Sequence, residues 1–420
     1  MSLTQSDITY SGSLHERSLA TSDAIKIAWD IAERHQLDIQ LKEVGKSPST
    51  ISCRITDKSG WYTHGNGKGI GQQSLASALF EALEHYFYYN ENIYPALKFQ
   101  LLDLDASDTY LVGSCPDFSR ILSKEKVSFG RLSFHRVGGN SENILFPAFL
   151  TNPKYISRVL SERDALSRLA LMRYSSNSGT AAGANEHDAV LHGLLEIIER
   201  DSLGIELLRV VIRKNPYQQR EIDRDSLSEY LCALLNDIEV QTNGTIIVWA
   251  ITTDLGVPSV LAALIVKNQG DEKYFGSGAS LSWQYAIERA ALEAMQVFHC
   301  HIIYRLKKPI SKLVTDVKLP LYSYCQLQAG QFHPRGGTKK ISSKELELFT
   351  PSIEKLSPAQ QINLIVDRLS IRGIEVFSRS ITNNGFSLAQ VIAPKLERFH
   401  LVTSGSPVAP GSRGLRVLAD

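Results

Sequence analysis

Between Tyr174 and Ser202 the chain passes from a run of small residues, Ser175-Ser176-Asn177-Ser178-Gly179-Thr180-Ala181-Ala182-Gly183, into a segment where Ala189, Leu191, Leu194, Leu195, Ile197 and Ile198 recur at helical spacing. The spacing predicts an amphipathic helix following a loop. Glu196 and Glu199 are three residues apart, so their carboxylates share one face, with Arg200 beside them. The same arrangement occurs twice more. Gly65-Asn66-Gly67-Lys68-Gly69 leads through Ser77 into Glu81 and Glu84, and Gly276-Ser277-Gly278-Ala279 leads into Glu288, Arg289, Glu293 and Gln296. Any one of these glutamate faces reads as a solvated helix surface; three glycine-bearing loops each followed by an acidic helix do not.

Around these segments the periodicity predicts further elements. Asp23 to His35 reads as a helix capped by Ser22, with Ile25, Ala28, Trp29 and Ala32 on one side. Leu37–Val44 and Thr50–Ile55 alternate as strands do, with a turn at Asp57-Lys58-Ser59-Gly60. The first acidic helix spans roughly 72–90. Ser128–Arg136 and Ile144–Leu150 are short strand candidates. The central helix continues to about Arg213 and stops at Lys214-Asn215-Pro216, because proline cannot extend it. A helix over 224–237 precedes Thr245–Thr252 and Pro258–Lys267, an apolar pair joined at Asp254-Leu255-Gly256 and read as an antiparallel hairpin. The third acidic helix covers 283–301. Ile362–Arg372 reads as a helix, and Glu375–Thr382 and Leu388–Ile392 as strands. The basic stretch His333-Pro334-Arg335-Gly336-Gly337-Thr338-Lys339-Lys340 reads as a mobile loop, either solvated or a lid over a substrate. Residues 1–16 are a lead-in, and 404–420, rich in Gly, Pro and Arg, are expected to be irregular. No stretch splits the remainder, so one large α+β domain over 17–420 is expected, with mixed and antiparallel sheets.

Composition narrows the classes. The 420 residues are 43% apolar, enough for a full core, and a net charge of +1 offers nothing to attract nucleic acid or an anionic membrane. No segment has the pattern of a signal peptide, and the longest apolar run, Val257–Val266, is too short to cross a bilayer. Cys53, Cys115, Cys232, Cys300 and Cys325 are dispersed and unpaired in pattern, which suits reduced thiols in the cytoplasm. His299-Cys300-His301 resembles a ligand cluster but points its members in different directions, and is read as structural.

Two glutamate pairs on separate helices could bring four oxygen ligands to one pocket, a donor set suited to magnesium. Arg200 and Arg289 would then be placed to hold phosphate, and Gly67-Lys68-Gly69 offers backbone donors and a cation. Together they suggest a nucleoside triphosphate and phosphoryl transfer. The familiar nucleotide motifs fail: Gly67-Lys68 is followed by Gly69, so there is no Walker A loop, and the glycines at 65, 67, 69 and 71 do not fit G-x-G-x-x-G.

These residues resemble the three signatures of the YcaO family. Asn66-Gly67-Lys68-Gly69 with Ser77, Glu81 and Glu84 resembles the first. Ser176-Asn177, Ala181-Ala182-Gly183 and His192-Gly193-Leu194-Leu195-Glu196-Ile197-Ile198-Glu199-Arg200-Asp201 resemble the second. Gly276-Ser277-Gly278-Ala279 with Arg289, Glu293 and Gln296 resembles the third, and Val391-Ile392-Ala393-Pro394 the strand and proline near the family's end. The resemblance implies an enzyme that uses ATP to activate peptide backbone amides, with the nucleotide held between the three acidic helices. It implies Mg2+ on Glu81, Glu84, Glu196 and Glu199, and nucleotide contacts from Arg17, Lys68, Ser77, Arg200, Arg289 and Glu293. Ala24 stands where a hydroxyl residue is common, and Ala184 where asparagine is frequent.

What the resemblance favours is a cyclodehydratase that turns Cys, Ser or Thr of a ribosomally made precursor peptide into thiazoline or oxazoline. Phe399-His400-Leu401 and Ser404-Gly405 look like the microcin-type synthetase subunits. Thioamide or amidine formation by the same activation is the alternative, and a scaffold that has kept only the fold is a third. The proline-rich terminus of many azoline enzymes is missing, so no acid–base group is assigned. With no room for an extra domain before residue 17, a separate E1-like or winged-helix protein is expected to present the leader peptide. A flavin-dependent dehydrogenase joins it if azoles are the product, and a homodimer is held open.

Overall fold

The computed structural model describes residues 16–90, 100–103, 109–116, 128–139, 142–154, 172–213, 215–267, 272–304, 336–347, 356–383 and 385–419. Helix α1 (Thr21–Arg34) leads into strands β1 (Asp38–Gly45), β2 (Ser49–Thr56) and β3 (Tyr62–Gly69), and these into α2 (Gln73–Tyr89). Next come β4 (Gln100–Asp103), α3 (Thr109–Ser114), β5 (Ser128–Arg136) and β6 (Asn143–Pro147). Strand β7 (Thr180–Gly183) enters α4 (Glu186–Leu207), whose end widens into a π-helical turn over Leu208–Ile212. Then follow β8 (Gln219–Ile222), α5 (Glu229–Thr242), β9 (Gly244–Ala250), β10 (Ser259–Val266), β11 (Glu272–Ala279) and α6 (Trp283–Tyr304). The last elements are β12 (Thr338–Ile341), α7 (Ser343–Glu347), α8 (Pro358–Ile371), β13 (Phe377–Asn383), β14 (Phe386–Ile392) and α9 (Ser412–Ala419).

Among the described residues, three sheets organise this α+β chain. One is the antiparallel meander β1-β2-β3; the second has the order β11-β10-β9-β8-β12; the third has the order β4-β5-β13-β14-β7, with β6 paired to β5. The β9–β10 pair forms the hairpin expected from its apolar run, in a register that sets Val260 opposite Ala250. Among the described residues, only β12 with β8 is parallel. α4 runs past the third sheet with Leu191, Leu194, Leu195 and Ile198 buried against Val391 of β14 and Ile365 and Leu369 of α8. At about 25 cal/mol per Å2 of apolar surface removed from water, each such side chain contributes roughly 2 kcal/mol, which fixes the face that α4 can turn elsewhere.

Several expectations change. The stretches read as glycine-bearing loops at 65–69, 180–183 and 276–279 are strands, and the reason lies in packing described below. α1 begins at Thr21 after Ala20, with no side-chain cap from Ser22. The helix expected over 224–237 starts later: Arg224–Ser226 forms a single 3-10 turn, Ser228 accepts the Leu231 N–H as cap, and Asn243 ends it in the left-handed conformation. Of the expected mobile loop, Thr338–Lys340 belong to β12, while His333–Arg335 lie outside the described residues, as do Cys325 and the lead-in residues 1–15. The terminus expected to be irregular carries α9. Its start is organised by a distant carboxylate, Glu397, which accepts the N–H groups of Gly411 and Gly414, a partner that local sequence cannot reveal. His299 meets Thr50 and His301 the Val297 carbonyl, so that cluster is structural as expected.

Candidate functional site

Each acidic helix lies directly on the glycines of the strand before it. A Cβ on Gly65 would sit 2.2 Å from Ala82 N and one on Gly67 1.9 Å from Ser74 O, both in α2. On β11, a Cβ at Gly276 would meet Ala290 O at 2.3 Å and one at Gly278 would meet Ala286 O at 2.5 Å in α6; on β7, one at Gly183 would meet Ala189 N of α4 at 2.5 Å. Any side chain there would push the helix off the sheet.

The other face of each strand serves a neighbouring unit. Lys68 of β3 pairs with Glu293 of α6 at 2.7 Å, Ser277 of β11 donates to Glu199 of α4 at 2.7 Å, and Ala182 N of β7 donates to Glu84 of α2 at 3.0 Å. Three strand–helix units thus close a ring, and α2, α4 and α6 turn their acidic faces into the space inside it.

That space is a cavity of ≈ 390 Å3, and Arg17, Lys68, Ser77, Glu81, Glu84, Glu196, Glu199, Arg200, Arg289 and Glu293 all line it. The ten residues expected to hold metal or nucleotide are therefore brought together. Arg200 reaches Glu199 at 3.4 Å and Glu196 at 3.7 Å, and Arg289 reaches the second oxygen of Glu199 at 3.7 Å. Gly179 N donates to Glu196 at 3.3 Å. Ala24 and Ala184 also line the wall. The neighbouring Asn185 is engaged in the fold instead: it caps α4 on Asp188 N and donates to Ser18 Oγ at 2.7 Å.

Burial pushes the Glu81 carboxyl up to about 7, against the Asn66 N–H and Lys68. Glu84 is raised well above its ordinary range by burial, then by Glu196 and Glu81. Burial also lifts Glu196 to about 7, with Arg200 opposing and Glu199 adding repulsion. Glu293 goes the other way: burial would raise it, but Lys68 and the two arginines outweigh that and lower it. Six carboxyl groups and four cations line the cavity, so its surplus is negative and confined to the carboxylates of α2 and α4. A divalent cation offsets such a surplus.

Among the described residues no three His, Cys, Asp or Glu side chains converge tightly enough to chelate an ion by themselves. That fits magnesium, which keeps waters and takes phosphate oxygens beside one or two carboxylates, better than a metal caged by protein alone. Arg289 Nε is buried without a hydrogen-bond partner, a guanidinium fork with a donor to spare for a phosphate.

A family model described as YcaO cyclodehydratase, ATP- and Mg2+-binding, matches residues 66–397. The chain belongs to the YcaO family. With the family come ATP and Mg2+ as cofactors. The structure of YcaO from Methanopyrus kandleri bound with AMPPCP and Mg2+ is similar at a TM-score of 0.63 and 18% identity, over 94% of this chain and 95% of that one. A heterocyclase in complex with substrate and cofactor gives 0.66 at 16% identity over 91% and 53% of the two chains. A chain of the E. coli microcin synthetase McbBCD complex gives 0.52 at 14% identity over 86% and 88%. These likenesses are of fold. In sequence, an "uncharacterized protein in tfuA 3' region" of Rhizobium leguminosarum bv. trifolii is 32% identical over 98 residues; the chain spans 22% of the length of this curated relative. Among the described residues, no helix of this YcaO chain is long and apolar enough to cross a membrane.

Sequence reasoning passed over Asp188 and gave His192 no role, yet both line the same cavity. Their signal was present: positions 188, 192, 196 and 199 fall on one face of α4. It also passed over residues 16–18 as a strap. Glu16 accepts from Ser280 Oγ at 2.5 Å, Arg17 reaches His192, and Ser18 N and Oγ donate to Asp188 at 3.1 and 2.5 Å. The strap joins α4 to the turn between β11 and α6.

Proposed function

We propose that this YcaO protein is an ATP-dependent cyclodehydratase acting on the backbone of a ribosomally made precursor peptide, converting Cys, Ser or Thr into thiazoline or oxazoline. The observation that carries the reading is the single cavity in which carboxylates from α2 and α4 face the arginines of α4 and α6. ATP would supply the phosphoryl group that makes the amide oxygen a leaving group. Glu81, Glu84, Glu196 and Glu199 would hold Mg2+, and the raised proton affinity of Glu81, Glu84 and Glu196 means that metal must displace protons from the site. Arg200 and Arg289 would hold phosphate oxygens; both guanidinium groups stay charged, held there by Glu199 first among their neighbours for Arg200 and by Tyr285 and Glu199 for Arg289. Lys68 and Glu293 hold each other, which keeps Lys68 at the cavity wall, and Ser77 lines the same cavity.

The reading takes 17–420 as one domain and looks to a second protein, E1-like or winged-helix, to present the peptide. A flavin-dependent dehydrogenase would follow if azoles are formed.

Two measurements test the reading. Glu196→Ala with Glu199→Ala is expected to lower ATP turnover by about a hundredfold or more, the loss of several kcal/mol of metal-borne stabilisation; turnover unchanged in this variant would defeat it. Mass spectrometry of a precursor peptide modified by the reconstituted system should show loss of about 18 Da per ring, or about 20 Da after oxidation. A gain of about 16 Da would mark oxygen-to-sulfur exchange and replace cyclodehydration with thioamide formation.

A further inference from the structure

His400 stands in the 3-10 turn Phe399–Ser404, 8% exposed, and the reaction outlined above gives it nothing to do. Among the described residues neither of its ring nitrogens has a hydrogen-bond partner, although both are shut off from solvent. A buried imidazole left in that state costs stability. The turn packs on α4 at Gly204, where a Cβ would come 3.2 Å from His400 N, one helical turn beyond Arg200. Among the described residues the charged groups that face the ring are Arg200 of α4 and Arg398, two residues before it. Burial and these two cations hold its proton affinity well below the ordinary histidine range, so one ring nitrogen keeps a lone pair.

That lone pair needs an N–H donor. Arg398 is engaged at Leu150 O and Tyr174 O, at 3.3 and 2.7 Å, and Glu397 beside it accepts the N–H groups of Phe399, Gly411 and Gly414. Arg200 is held less firmly. It reaches Glu199 at 3.4 Å, Glu196 at 3.7 Å and Ser277 Oγ at 3.4 Å, all longer than the roughly 2.7–2.9 Å of a full charge-assisted bond. Two of those three partners are carboxylates placed to hold Mg2+, and once metal occupies them Arg200 must find other acceptors.

We infer that His400 is a positioning residue for Arg200: its lone pair accepts a guanidinium N–H when Mg2+ takes Glu196 and Glu199, and leaves the rest of the fork for phosphate. The inference rests on the reading of the cavity as a magnesium–ATP site. It accounts for the unpartnered ring of the metal-free fold, because the donor is then drawn to the carboxylates. It assigns His400 no contact with nucleotide and no proton transfer.

The test uses His400→Leu in the full chain, which keeps a side chain of similar size and removes the acceptor. In metal-free protein its melting temperature should be unchanged or raised, because an unsatisfied buried group is gone. Calorimetric titration of AMPPCP with Mg2+ should nevertheless show binding weakened about tenfold to a hundredfold, the worth of one hydrogen bond to a charged group. His400→Asn or His400→Gln, whose carbonyl oxygen stands near the place of Nδ1 or Nε2, should restore most of it, and the one that does names the accepting nitrogen. In an Arg200→Ala background His400→Leu should weaken binding no further. In nitrogen NMR of histidine-labelled protein, the ring signal that His400→Leu removes should shift to that of a hydrogen-bonded acceptor when Mg2+ and AMPPCP are added. A lowered metal-free melting temperature in His400→Leu, wild-type affinity in that variant, rescue by neither amide, a loss additive with Arg200→Ala, or a ring signal unmoved by AMPPCP and Mg2+ would overturn the inference and leave the ATP site standing. No binding by the wild-type chain would instead overturn the ATP reading, and the inference with it.

Discussion

At Gly67 a single hydrogen atom decides whether α2 can lie on β3. The Cβ of an alanine there would stand 1.9 Å from Ser74 O and 2.2 Å from Ala78 N, both backbone atoms that no rotamer change can move. Gly67→Ala is therefore expected to cost about 3 kcal/mol or more, read as a lowered denaturation midpoint, whereas Gly60→Ala, with nothing within 4 Å, meets only the strain of its positive φ. The glutamates make a second residue-scale prediction. Glu81 and Glu196 have an ordinary value of 4.5 and are held at about 7 in the fold. Between those values the folded chain binds protons that the unfolded chain has released. For metal-free protein, the stability that they contribute is present in full below about pH 4.5 and is lost as pH rises to about 7. Mg2+ with nucleotide should bind more tightly across the same rise, releasing protons. Denaturant melts at stepped pH check the first, and titration in two buffers of different ionisation enthalpy checks the second.

Among the elements, α9 has the least local reason to exist and the strongest distant one. Arg413, 6% exposed, grips buried Asp201 of α4 through two bonds of 2.8 and 3.0 Å and reaches Asp254 at 2.7 Å. Asp201 also accepts Glu397 N at 2.8 Å, and Glu397 in turn accepts the backbone of Phe399, Gly411 and Gly414. Arg413→Ala would leave Asp201 buried without its cation, a change that costs about 3–5 kcal/mol; a melting transition unmoved by this variant would remove α9 from the folding unit. Asp201 follows Arg200 in α4, so the same variant is expected to raise the KM for ATP more than a surface substitution of equal destabilisation. The strands β3, β7 and β11 were legible only as loops. Gly65, Gly67, Gly276 and Gly278 lack the side chains whose alternation marks a strand, and they lack them because a helix backbone takes the place.

For the whole molecule, the ring of three strand–helix units means that the cavity exists only when all three are assembled. Nucleotide and Mg2+ should then stabilise the entire fold rather than one unit: at a concentration one hundred times Kd the gain is about 2.7 kcal/mol, and it should appear as one cooperative shift in calorimetry. By itself the sequence determined the helices that carry the chemistry. The 3.6-residue recurrence of Leu191, Leu194, Leu195 and Ile198 set α4, and the spacing of Glu81 with Glu84 and of Glu196 with Glu199 placed each pair on one face. Those are local consequences of backbone geometry, readable within a few residues. Which faces meet was decided by tertiary structure alone, since Lys68 finds Glu293, Ser277 finds Glu199 and Arg17 finds His192 across 225, 78 and 175 residues of chain. So were the raised glutamates and the existence of α9, because burial and distant charge are properties of the assembled ring and of no segment within it.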